Sequence, residues 1–64
     1  MKELTLTFEE CVKDRIDEND IVNVSETEGF IRKKLIDAGF DISRNVSRLF
    51  LEEEQVIIFN QEEL

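Results

Sequence analysis

Carboxylates are the side chains of this chain with the most chemistry to offer. Sixteen Asp and Glu face eight Lys and Arg in 64 residues, a formal net charge of −8. The usual partners of carboxylate catalysis are missing. There is no histidine, so the commonest general base and metal ligand is absent. Cys11 is the single cysteine, which leaves neither a Cys–His pair nor a thiolate cluster for zinc. Gly29 and Gly39 are the only glycines and stand ten residues apart, so neither a phosphate loop nor a dinucleotide fingerprint fits. Asp17 to Asp20 fails as a calcium loop, because Ile21 and Val22 fall where a fifth-position ligand and a glycine are needed. Two carboxylates would suffice for glycoside chemistry, but so short a chain has little room for a cleft that holds a substrate and shifts their pKa values. The expectation is a protein that is not an enzyme and takes no metal and no cofactor.

The charge is distributed unevenly. Residues 1–31 carry nine acids and three bases, residues 32–48 two acids and five bases, and residues 49–64 five acids and no base. The acids concentrate in two groups: Glu9, Glu10, Asp14, Asp17, Glu18 and Asp20, then Glu52, Glu53, Glu54, Glu62 and Glu63 flanking the last apolar run. One reading is solubility and protection of sheet edges against aggregation. The sharper reading is a surface that imitates a phosphate backbone. Alternate residues of a strand project to one face roughly 6.6 Å apart, a spacing comparable to that of phosphates.

The elements that must position these acids follow from periodicity. Leu4, Leu6 and Phe8 alternate with threonines, as in a strand buried on one face. Thr7 with Glu10 forms a capping box for a short helix with Phe8, Cys11, Val12 and Ile16 on one stripe; a second strand through Cys11–Ile16 is the alternative. Asp17 to Asp20 is a polar turn and Ile21 to Val24 a short strand. Ser25 and Glu28 make a second capping box, opening a helix over roughly 26–38 with Phe30, Ile31, Leu35 and Ala38 inward, widened by Ile36. Gly39 follows at the C′ position, with Phe40 packing back. Strands over Val46–Leu51 and Gln55–Asn60 enclose a hairpin loop at Glu52 to Glu54, and residues 61–64 form a frayed tail. The apolar run Val56 to Phe59 suits a central strand covered on both faces, by the helix and by a second subunit. The fold class is α+β, a small three- or four-stranded, mostly antiparallel sheet with one main helix packed on one face, in a single domain, 1–64.

A chain this short buries only roughly 60% of its unfolded surface, which favours a homodimer. A lone cysteine gives no internal disulfide and reads as a small buried hydrophobe. With no signal-like apolar stretch at Met1-Lys2-Glu3-Leu4, no membrane-length run, and Asn-X-Ser matches at Asn23 and Asn45 that read as chance, the expected compartment is the cytoplasm. Direct nucleic-acid binding is disfavoured by the net charge. Arg32, Lys33, Lys34, Arg44 and Arg48 read as a solvated face with Glu28–Arg32 and Lys33–Asp37 pairs.

In size, net charge, its acidic segments 9–20 and 52–63 and its apparent α+β build, the chain resembles the small DNA-mimic inhibitors encoded by bacteriophages. That resemblance implies inhibition of a basic DNA-binding protein, such as histone-like HU, through the acids named above. The bases at Arg32 to Lys34 depart from the most extreme mimics. Two other readings stand beside it: an interaction module that captures a partner on an apolar surface or sheet edge, and a nucleic-acid-binding regulator that uses the basic helix.

Overall fold

The computed structural model describes residues 1–63. Five elements follow one another: β1 (Lys2–Thr7), α1 (Phe8–Val12), α2 (Val24–Asp37), β2 (Ser47–Leu51) and β3 (Val56–Gln61). The three strands form one antiparallel sheet in the order β1-β3-β2, so the most apolar strand is central. The fold is therefore α+β, with three strands and one main helix. The expected strand at Ile21 to Val24 is reduced to an isolated bridge between Ile16 and Val22.

Register sorts the side chains. Leu4 and Arg48 are both opposite Phe59, and Leu6 and Phe50 are both opposite Ile57. These residues share one face, because side chains alternate along a strand. Leu6 and Phe59 on that face join Cys11, Leu35 and Phe40 in the buried core, with Leu4, Phe30, Ile31, Val46 and Ile57 packed around it. The other face carries Glu3, Thr5, Thr7, Ser47, Leu49, Leu51, Val56, Ile58 and Asn60. None of these belongs to the core cluster, and Leu49 is 56% exposed. The central strand is thus covered on one face by this chain, not on both.

The helices begin where side chains take over orphan amides. Thr7 caps α1: its Oγ1 accepts from the Glu10 amide at 3.1 Å and donates to Glu10 Oε2 at 2.9 Å. That helix ends at Val12, before Ile16, which is 43% exposed. The main helix starts earlier than the Ser25 capping box implies. Asn23 is the N-cap, with Oδ1 accepting from the Glu26 amide at 3.1 Å. Asn23 wins because the bridge at Val22 and the bond from its own amide to Arg15 O at 2.7 Å already fix its extended backbone. Of the expected inward stripe, Ala38 and Ile36 are exposed, Ile36 to 51%.

The far end of α2 matches the expectation for Gly39. Its φ of 88° is left-handed, Gly39 donates to Ile36 O at 2.9 Å and Phe40 to Leu35 O at 2.9 Å. This is the Schellman pairing, and it turns Phe40 into the core. Gln61 corrects the expected frayed tail. It is a buried β3 residue whose amide side chain accepts from the Asp41 amide at 2.8 Å and donates to Asp41 O at 2.7 Å. Those bonds tie the connector after α2 to the sheet. Leu64 lies outside the described residues.

Candidate protein-binding surface

The two ends of the sheet can now be told apart. At one end Lys2 is opposite Gln61, and Gly39 lies close to the Lys2 ammonium. At the other, Thr7 is opposite Val56 and the Phe8 amide donates to Gln55 O at 2.7 Å, beside the turn at Glu52 to Gln55. The ladder therefore brings the first turn of α1, with Glu9 and Glu10, to the same end as Glu52, Glu53 and Glu54. The loop carrying Asp14, Asp17, Glu18 and Asp20 follows α1 and leads into α2.

Segments far apart in sequence thus meet at the turn end. Glu9 and Glu10 of α1 and Glu52, Glu53 and Glu54 of the turn stand together at this end, five acids. All eleven acids singled out from sequence are exposed. The structure separates Glu62 and Glu63 from Glu9, Glu10 and Glu52 to Glu54, placing them at the Lys2 end, where Glu63 pairs with Lys2 at 3.7 Å. That is the one ion pair among the described residues. Arg32, Lys33 and Lys34 are exposed, as expected of a solvated helix face, but neither the Glu28–Arg32 nor the Lys33–Asp37 pair closes.

Some of these acids act within the loop that holds them. Asp17 Oδ1 accepts from the Asn19 amide at 2.8 Å and the Ile21 amide at 3.0 Å, shaping the turn. The two bases nearby do not neutralise the others. Arg15 spends its donors on the Cys11 and Glu10 carbonyls at 2.7 and 2.8 Å and stacks on the Phe30 ring, its guanidinium carbon 4.1 Å from the centroid. This anchors the acidic loop to both helices.

Two aromatic side chains stand open at the same end. Phe8 and Phe50 are 39% and 46% exposed, with ring centroids 5.8 Å apart. They line a shallow depression with Arg48 and Ile57. Only the β2–β3 register, which puts Phe50 opposite Ile57 at the strand end, reveals this pair.

Cys11 is 1% exposed, and burial followed by the Glu10 charge pushes its thiol above the ordinary value, with Arg15 acting the other way. It is a packing residue. Asp41, which turns the connector by accepting from the Ser43 hydroxyl at 2.6 Å and amide at 3.0 Å, is held below the usual carboxylate range by those bonds. No group of three or more metal-ligating side chains occurs among the described residues, and no helix among them is long and apolar enough to cross a membrane.

No protein-family model matches this chain, and no curated protein or solved structure shows significant similarity to it.

Proposed function

We propose that this chain is a binding protein that inhibits a basic DNA-binding protein, of the histone-like type, by occupying its DNA-binding surface with the acidic turn end. The carrying observation is the convergence of Glu9, Glu10 and Glu52 to Glu54 on one end, without ion pairs, beside an exposed Phe8–Phe50 pair, with the exposed acids of the 14–20 loop following α1. An aromatic centre within a charged rim has the anatomy of an interface hot spot. The rim steers a cationic partner, and the two rings supply the desolvated contact. No reaction, metal or cofactor is required.

The same reading includes a homodimer, formed through the open face of the sheet. Of the nine side chains on that face only Glu3 is charged, in a chain of net charge −8. Two copies repel least there, and Leu49, Leu51, Val56 and Ile58 would bury against their counterparts. A dimer leaves both acidic ends available and doubles the charge offered to the partner.

The experiment is competition. A histone-like protein bound to labelled duplex DNA is titrated with the chain at low and at high salt. Displacement at low salt, weakened by at least about tenfold at high salt, is expected, because exposed charge pairs are screened. The double variant Glu52→Lys with Glu54→Lys should lose displacement while keeping its circular dichroism spectrum. Equal affinity at both salt concentrations would remove the electrostatic reading. Sedimentation of the wild type against Leu49→Glu tests the dimer separately.

A further inference from the structure

The groove beside β2 has the opposite chemistry to the acidic end. Helix α2 packs through Leu35 against Leu6 of β1 and Phe59 of β3, and β2 contributes no residue to the buried core. About one strand width of the inner face, roughly 4.8 Å, is left without a helix over it. The result is a groove of about 440 Å³ whose floor includes Ile31, Leu35 and Phe59. Its polar lining includes Arg32 from α2, Arg44 from the connector and Arg48 from β2, with Glu28 the one acid. Three of the chain's four arginines meet there, although acids outnumber bases two to one overall. Arg44 is positioned by donating to Glu62 O at 2.6 Å. Arg32 and Arg48 have no ion-pair partner among the described residues.

We propose that this groove binds an extended acidic peptide segment of a partner protein, with carboxylates on the arginines and an apolar side chain on the floor. Guanidinium forks match carboxylates bidentately. Strand β2 lies at the edge of the sheet, so one side of its backbone is unpaired within it. A peptide added along that edge would send alternate side chains, roughly 6.6 Å apart, into the groove. Apolar floor and charged lining together suit such a segment better than a nucleic-acid backbone, which needs many cations and has no use for an apolar floor.

The test uses the full chain and labelled peptides that alternate Glu and Leu with Ser, measured by fluorescence anisotropy. Saturable binding is expected, at least about tenfold weaker for the peptide with Gln in place of Glu and for the Arg32→Gln, Arg48→Gln protein. Lys33→Gln should bind as wild type does. Both replaced arginines are exposed, so circular dichroism should not change. Should the double variant misfold, Arg48→Gln alone carries the test. Equal binding of the Gln peptide, no loss in the folded variant, or no saturable binding by wild type would overturn the proposal. Duplex DNA that binds wild type and is lost in the same variant would overturn it in favour of a nucleic-acid site.

Discussion

The two ends of this sheet are both rich in acids, yet they treat them differently. At the Lys2 end, polar groups are consumed by the fold. Gln61 clasps the Asp41 backbone, Arg44 donates to Glu62 O, Lys2 meets Glu63 and Asp41 accepts from Ser43. At the turn end, Glu9, Glu52, Glu53 and Glu54 are exposed and paired with no cation, and two phenylalanines stand open among them. The contrast separates polar groups that stabilise the fold from those that the fold leaves unused. Charges satisfied internally close the chain, while the unmatched charges beside apolar surface are the ones the proposed function assigns to a partner.

Substitutions should divide along the same line. The largest stability effect is expected for Gln61→Ala, which leaves the Asp41 amide and carbonyl without their buried partner. A loss of about 1–3 kcal/mol should appear in urea unfolding, a substantial share of the ~3–10 kcal/mol expected of a domain this size. Glu53→Gln at the turn end should leave the urea midpoint unmoved. A cost there equal to that of Gln61→Ala would break the comparison.

A smaller effect locates the start of α2. Asn23→Ala should cost about 1 kcal/mol, whereas Ser25→Ala should be close to neutral. The reverse order would return the cap to Ser25.

The smallest effects are pH dependences, the first of them at the Lys2 end. Asp41 titrates below its ordinary value in the folded chain. The unfolded chain therefore takes up the proton first, and the contribution of Asp41 is present above roughly pH 3.9 and lost as pH falls through its folded pKa. Asp41→Asn should flatten that part of the acid unfolding curve. Burial raises the Cys11 thiol, so its contribution runs the other way, fully present below the ordinary thiol value and lost in alkali.

What was legible in the sequence follows from how local each signal is. Gly39 and Phe40 read correctly because a Schellman turn is written in consecutive residues. Thr7 and Glu10 read correctly for the same reason. Asn23 was missed because its advantage over Ser25 comes from the Ile16–Val22 bridge, which the local pattern does not contain. Gln61 was missed because its partner, Asp41, lies 20 residues away. The acids of the candidate site were all visible as residue types. The placing of Glu9, Glu10 and Glu52 to Glu54 at one end and of Glu62 and Glu63 at the other needed the sheet register, as did the meeting of Phe8 with Phe50, while that of Arg32 with Arg48 needed the packing of α2 on the sheet.

The most direct measurement is amide chemical-shift mapping of the labelled chain during titration with a histone-like DNA-binding protein at low salt. The account predicts perturbations centred on Phe8, Glu9, Glu10, Phe50 and Glu52 to Glu54, with Glu62 and Glu63 unaffected. Perturbations centred on the Lys2 end, or none at all, would contradict it.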